Sequence, residues 1–143
     1  MTTEANRRII TEMFARWSDG DVRAFSEALA DDVSLTTVGS TKFSGTFVGK
    51  EEVVASFTPF RELFDEPVLL TAETIVVDGD LVAVEARGRS RMKDGQDYRN
   101  VYALFLRMSN GKIVKWTEYF DTELFNVVFG KVNSTESSGN VLE

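Results

Sequence analysis

An α+β domain, in which helices pack against one face of a bent sheet, is the fold class that the sequence predicts. Apolar residues recur at helical spacing along the first 64 residues, whereas residues 68–121 alternate between apolar and polar in segments divided by Gly-containing turns. A chain of 143 residues, 43% of them hydrophobic and eleven of them Phe, is about the size of one domain with a substantial core. Helices followed by hairpin-linked strands therefore indicate a single domain over residues 1–130.

Three helices are predicted ahead of the sheet. The first has a one-sided apolar stripe from Ile9 to Trp17, and Asp21 can cap a short second helix. The third is expected over residues 50–64. Pro59 should kink or break it, because proline removes a backbone donor and crowds the preceding turn. Between the second and third helices, residues 33–38 fit a short strand that a Gly-containing loop follows.

Four strands joined by tight turns make up a predicted antiparallel meander. The expected strands are residues 68–77, 81–91, 97–107 and 113–121. The turns that separate them are Asp78-Gly79-Asp80, Asp94-Gly95 and Ser109-Asn110-Gly111. A short helix capped by Thr122 closes the domain, and residues 131–143, which are polar and rich in Ser and Asn, are expected to fray.

The turn types predict how the strands are registered. Asp94-Gly95 fits a two-residue type I′ turn, which places Arg87 opposite Tyr102. Ser109-Asn110-Gly111 suits a three-residue turn, which places Tyr102 opposite Glu118. A single row of Arg87, Tyr102 and Glu118 is then expected to cross three strands on the face that the helices cover.

Glu118 stands out in the last strand, because alternation places its carboxyl between the rings of Trp116 and Phe120. An apolar pocket with a few converging polar groups is the usual form of a small-molecule site. The predicted catalytic residues are Glu118, Arg87, Tyr102 and Glu85. The predicted substrate-binding residues are Asn100, Arg89, Trp116, Phe120, Phe60, Phe64, Phe125 and Leu104.

Each polar residue of this group has an expected role. Glu118 would be the general acid or base, because the aromatic walls raise its pKa while Arg87 restrains it. Tyr102 would donate a hydrogen bond to a substrate oxygen, which Asn100 and Arg89 would help to orient. The alternative is that Glu118 and Arg87 form an ordinary cross-strand ion pair on a solvated face.

The amino-acid composition excludes several classes of catalysis and of binding partner. The chain contains no Cys and no His, which excludes thiolate catalysis, Ser–His triads and imidazole bases, and no cofactor or metal is expected. A net charge of −7 argues against nucleic acid or an anionic membrane as a partner. The N-terminus lacks the apolar stretch of a signal peptide and no apolar run reaches membrane-spanning length, so a cytoplasmic protein is expected.

Two partners are expected, a small apolar ligand and a second copy of the chain. The homodimer would form through the face of the sheet that points away from the helices. An apolar patch that a monomer would leave exposed is predicted there, made of Val101, Ala103, Phe105, Ile113 and Tyr119.

Three stretches of the sequence, together with the order of the elements, are similar to a known superfamily. They are RWSDGDVRAFSEALADDV, GDLVAVEARGR and DYRNVYALFLRMSNGKIVKWTEYFDTELF. Over residues 5–130 the chain resembles the nuclear-transport-factor-2-like superfamily, and within it the SnoaL-like polyketide cyclases and limonene epoxide hydrolases. The resemblance implies a cone-shaped half-barrel: a strongly bent antiparallel or mixed sheet, three N-terminal helices on its concave face, a deep apolar pocket and often a dimer.

The segment from Trp116 to Asp121 is similar to the epoxide hydrolase motif W-x-D-Y-F-D, in which the first acid helps to activate water. Glu118 takes the position of that acid, whereas Glu85 and Arg87 take the R-x-D positions in reversed order. The Tyr and Asn that hold the water in that family have no equivalents here. Neither the ketosteroid isomerase residues nor the His of scytalone dehydratase can be matched, so the resemblance transfers no named activity intact.

A small-molecule pocket protein is therefore expected, in which a carboxylate performs acid–base chemistry on a largely apolar metabolite such as a polyketide, terpenoid or steroid-like compound. Isomerisation, dehydration, cyclisation and hydrolysis all fit these residues. The alternative is a non-catalytic ligand-binding or dimerisation module of the same fold, in which the polar row is structural.

Overall fold

The computed structural model describes residues 1–131, so the predicted frayed tail lies outside the described residues from position 132 onward. The helices are α1 (Thr3–Ser18), α2 (Arg23–Ala28), α3 (Lys50–Ala55), α4 (Thr58–Arg61) and α5 (Thr122–Phe129). The strands are β1 (Leu29–Thr37), β2 (Gly45–Val48), β3 (Leu69–Asp78), β4 (Leu81–Arg89), β5 (Val101–Ser109) and β6 (Lys112–Phe120). Within this described part of the chain, no helix is long and apolar enough to cross a membrane.

The helices ahead of the meander follow the apolar pattern of the sequence. α1 buries Ile10, Met13 and Phe14 on one side and packs against β3. The predicted third helix is divided into α3 and α4, so four helices rather than three precede β3. Pro59 lies in the first turn of α4, where its missing N–H leaves no helical hydrogen bond unmade, and α3 ends before it at Ala55.

The six strands form one bent, open sheet with the order β2-β1-β6-β5-β4-β3. β3 to β6 make the antiparallel meander that the turns predict. β1 runs parallel to β6, so the sheet is mixed, and the predicted α+β class is confirmed. The sequence did not indicate β2, because Gly45 begins it and Gly49 follows it, a composition that favours a loop.

The hairpin between β4 and β5 has a different turn from the predicted one. Met92 N donates to Gln96 O at 2.8 Å, so the turn around Asp94-Gly95 contains three residues instead of two. The extra residue shifts the register by one position, and Arg87 lies opposite Val101. The predicted register was therefore wrong by one residue. Because side chains alternate along a strand, this difference places Arg87 on the outer face of the sheet.

The hairpin between β5 and β6 also differs, but by an even number of positions. Asn110 and Gly111 have positive φ angles of 50° and 77°, as a two-residue type I′ turn requires. A β-bulge in the same hairpin adds a second position, so Glu118 lies opposite Leu104 and stays on the inner face. The bulge also turns Ile113 fully into the core, which removes it from the predicted apolar patch.

Candidate functional site

A cavity of about 660 Å³ lies between the inner face of the sheet and the helices. Most of its wall is aromatic, and its exposed rim carries charged residues such as Arg23 and Arg61. Several lining side chains carry hydroxyl or carboxyl groups, and four of these lie close to one another: Thr37, Tyr98, Tyr102 and Glu118. An apolar space of this size with a few polar groups is typical of a small-molecule site.

Of the acidic residues that line the cavity, Asp65 and Glu66 are exposed, whereas Glu118 lies between Trp116 and Phe120 on the inner face of β6. Thr37 is its register partner on β1, and the Thr37 hydroxyl donates a hydrogen bond to its carboxylate. Burial raises the pKa of Glu118 to about 7, while the hydrogen bond from Thr37 lowers that pKa by a smaller amount. No ion pair within residues 1–131 involves Glu118. The carboxyl can therefore exchange a proton near neutral pH.

Two tyrosines place hydroxyl groups beside this carboxyl. Asn100 Nδ2 donates to the Tyr98 hydroxyl oxygen at 2.7 Å, and the Tyr98 and Tyr102 hydroxyls share a hydrogen bond. Burial raises the pKa of Tyr98 to about 12 and that of Tyr102 well above its usual range, and the nearby charge of Glu118 raises both further. Both phenols therefore stay protonated, and because one O–H is donated within the pair, the pair has one O–H left to donate to a ligand.

Seven of the predicted site residues line the cavity. They are Glu118, Tyr102, Trp116, Phe120, Phe60, Phe64 and Phe125. The side chain of Trp116 is 2% exposed, and its indole N–H has no hydrogen-bond partner in the described part of the chain. The roles assigned to these seven residues stay predictions.

Glu85, Arg87 and Arg89 do not reach the cavity, which corrects the predicted polar row. They alternate with buried residues along β4 and are exposed. Arg87 Nε lies 2.8 Å from Glu73 Oε1, and Arg89 Nη2 donates to the Ser18 carbonyl at 3.4 Å. The one-residue register shift of the β4–β5 hairpin is the physical reason, because it reverses the face on which these side chains lie.

Asn100 and Leu104 face the interior, but neither lines the cavity, which corrects their assignment as substrate contacts. Leu104 is 1% exposed and packs within the main core. The Oδ1 atom of Asn100 accepts from Val101 N at 2.7 Å and from Asp121 N at 3.0 Å. Its Nδ2 donates to Asp121 O at 3.0 Å as well as to Tyr98. Every hydrogen-bonding position of the Asn100 amide is thus used within the protein.

Trp17, Thr37 and Tyr98 are among the cavity residues that sequence reasoning missed. Tyr98 could have been found, because its position differs from that of Tyr102 by an even number and alternation places both on one face. Trp17 belongs to the predicted apolar stripe of α1, and its Nε1 donates to the Val68 carbonyl at 3.0 Å. No local sequence pattern could place Thr37 in the site, because Glu118, its neighbour in the structure, is distant in the sequence.

Metal chemistry has no candidate ligand set in the described residues. Within positions 1–131, no group of three or more acidic side chains is placed to hold a metal ion. The chemistry that this site can perform with its own residues is proton transfer and hydrogen bonding.

The bent open sheet, the helices against it and the cavity between them form the fold of solved structures that are described as nuclear-transport-factor-2-like. Residues 10–116 match the model of the SnoaL-like domain, and the chain belongs to that family. Uncharacterized proteins of Mycobacterium tuberculosis and Mycobacterium bovis are each 26% identical to it over 122 residues, which are 84% of this chain and 92% of theirs. The predicted family is thereby confirmed.

Solved structures show the same fold. A nuclear-transport-factor-2-like protein of unknown function from Burkholderia pseudomallei has a TM-score of 0.72 and 22% identity, with 86% of this chain and 95% of that chain covered. A protein of Jannaschia described as a SnoaL-like polyketide cyclase has a TM-score of 0.72 and 16% identity, with coverage of 91% and 94%. TerC, co-crystallized with polyporic acid, has a TM-score of 0.73 and 18% identity, with coverage of 89% and 99%.

Proposed function

We propose that the protein binds a small, largely apolar metabolite in the cavity and exchanges a proton with it through Glu118. The observation that carries this proposal is the carboxyl of Glu118 inside an aromatic cavity, with no ion-pair partner in the described part of the chain, where burial raises its pKa to about 7. A general acid or base works best when its pKa lies near the operating pH, because it is then both available and reactive. Polyketides, terpenoids and steroid-like compounds are the expected classes.

The chemistry would be a cofactor-free isomerisation or cyclisation at a carbonyl compound. Ionised Glu118 takes a proton from the carbon next to the carbonyl, and the electron pair moves onto the carbonyl oxygen as an enolate. The hydrogen-bonded pair of Tyr98 and Tyr102 donates its remaining O–H to that oxygen and stabilises its charge. In an isomerisation, Glu118 then returns the proton to another carbon of the ligand. In a cyclisation, the enolate carbon attacks a second carbonyl carbon of the same ligand, the electron pair of that C=O bond moves onto its oxygen, and Glu118 gives the proton to that oxygen. The binding of polyporic acid by TerC and the description of the Jannaschia protein support a small-molecule occupant.

The test is a carboxyl titration by carbon-13 NMR, with Glu118→Gln used to assign the Glu118 signal. The expected pKa is about 7. The variant should keep the fold and the binding of an apolar dye, but it should lose Glu118-dependent deuterium uptake by a bound ketone. A Glu118 pKa at or below 4.5, its ordinary value, would reject the acid–base role and leave the non-catalytic binding module.

A further inference from the structure

Nine aromatic residues of the cavity wall fall into two clusters. The first cluster is Trp17, Phe25, Phe57 and Trp116, with ring centroids as close as 5.0 Å for Phe25 and Trp116. The second cluster is Phe43, Phe60, Phe64, Phe125 and Phe129, with Phe43 and Phe60 at 4.7 Å. Among the ring contacts of residues 1–131, none joins a ring of the first cluster to a ring of the second.

Glu118 lies between the two clusters. On the inner face of β6, Trp116 belongs to the first cluster and Phe120 packs against Phe125 of the second, at 5.1 Å between ring centroids. Glu118 is the residue between Trp116 and Phe120 on that face. Two residues along a strand span about 7 Å, so each flanking ring lies about that far from the level of the carboxyl. Tyr102 lies on the second-cluster side of Glu118, because it is the register partner of Phe120 and its ring is 5.9 Å from that of Phe120.

We propose that the ligand of this cavity has two arms, each a flat apolar group, joined by a central oxygen-bearing function that meets Glu118. The proposal rests on the proposed function and names the class of molecule that the same site would take. Flat arms suit the two clusters, because aromatic faces and edges pack best against rings. A polar function at either end of the ligand would instead lie against apolar rings and lose its hydrogen bonds to water.

Three small molecules of matched shape test this on the full chain. Dibenzoylmethane has two phenyl arms around a central diketone, benzoylacetone replaces one arm by a methyl group, and diphenylpropane keeps both arms but lacks the oxygens. Calorimetric titration should show dibenzoylmethane binding at least tenfold more tightly than either of the other two. Benzoylacetone binding equally well would overturn the two-armed ligand, and so would failure of all three to bind at about 1 mM.

Two matched variants locate the arms. Phe57 of the first cluster and Phe60 of the second both line the cavity and are partly exposed. Phe57→Ala and Phe60→Ala should each weaken the binding of dibenzoylmethane at least threefold. Each should change the affinity for benzoylacetone less than twofold, because the single ring of that ligand can occupy the intact cluster. The double variant should weaken both. Equal effects of the single variants on both ligands would overturn the assignment of one arm to each cluster.

The outcome is separable from that of the proposed function. If dibenzoylmethane shows no preferential binding, the Glu118 titration still decides whether the carboxyl exchanges protons near pH 7. Should Glu118 titrate at its ordinary pKa, preferential binding of dibenzoylmethane would still support two arms in a non-catalytic cavity. If either Ala variant does not fold, the three-ligand comparison on the unaltered protein decides alone.

Discussion

Thr37 and Glu118 lie opposite each other in the parallel pair that joins the first strand to the last, and the Thr37 hydroxyl donates to the Glu118 carboxylate. This contact and the burial of the carboxyl act on the Glu118 pKa in opposite directions. The neighbouring side chain Thr36 points to the other face, where its hydroxyl lies 2.9 Å from that of Thr46. The two threonines therefore form a matched pair for experiment.

Thr37→Val should raise the pKa of Glu118 further above 7, because it keeps the shape of the side chain and removes the donor to the ionised carboxyl. Carbon-13 NMR titration of the Glu118 carboxyl measures the change directly. Thr36→Val is the control, since it removes a hydroxyl from the opposite face of the same strand. A lower Glu118 pKa in Thr37→Val, or the same change in both variants, would contradict the assigned contact.

The contribution of Glu118 to the stability of the folded protein should fall as the pH rises from about 4.5 to about 7, because burial holds the pKa of this group above its ordinary value. In this interval the unfolded chain has ionised Glu118 while the folded chain keeps it protonated, so the unfolded state is favoured. The contribution is fully present below pH 4.5 and is lost above pH 7. At about 1.4 kcal/mol per pKa unit, the loss is of order 3 kcal/mol.

Urea unfolding of the unaltered chain and of Glu118→Gln at several pH values checks this slope. The difference between the two should grow in favour of the variant as the pH rises, because Gln cannot ionise. Glu85→Gln, an exposed change on β4, serves as the control and should follow the unaltered protein. A constant difference between Glu118→Gln and the unaltered chain across the whole pH range would argue against a buried, protonated Glu118.

Much of the fold and one half of the site could be predicted from local sequence patterns. The strands, their order in the meander and the inner position of Glu118 follow from alternation and Gly-containing turns. The predicted β5–β6 register was wrong by two positions, which preserved the face, whereas the β4–β5 register was wrong by one, which displaced Arg87. Whether Asn-Gly or Asp-Gly makes a two-residue or a three-residue turn depends on the strand ends around it.

The remaining half of the site depends on long-range pairing. Thr37 meets Glu118 only because β1 runs parallel to β6. Parallel strands are not joined by a tight turn, so no turn sequence could predict that β1 and β6 pair. The two aromatic clusters likewise bring together rings from α1 to α5 that no periodicity relates. Phe60 and Phe125 were predicted as wall residues, yet the division of the wall into two clusters needs the structure.

Asn100→Ala should destabilise the protein by about 2 kcal/mol or more. The change leaves the N–H groups of Val101 and Asp121 and the hydroxyl of Tyr98 without their present partner, and a buried unpaired polar group costs about 1–3 kcal/mol. Urea unfolding measures the loss. Asn126→Ala, at an exposed position of α5, should cost far less. An Asn100 variant as stable as the unaltered protein would mean that water replaces the amide in this network.

The last prediction concerns the outer face of the sheet, where we expect a second copy of the chain to bind. Val101, Phe105 and Tyr119 are 46%, 54% and 44% exposed there, and the Phe105 and Tyr119 rings are 5.9 Å apart. Apolar groups that are gathered in one exposed patch gain free energy when a partner covers them.

Phe105→Glu should therefore convert the dimer to a monomer, because each interface would bury a carboxylate without a partner. Light scattering at micromolar concentration distinguishes the mass of one chain from that of two. Val127→Glu places the same charge at another exposed apolar position, on helix α5 and away from the outer face of the sheet, and should leave the dimer intact. If the unaltered protein already has the mass of one chain, the outer face is not an interface between copies.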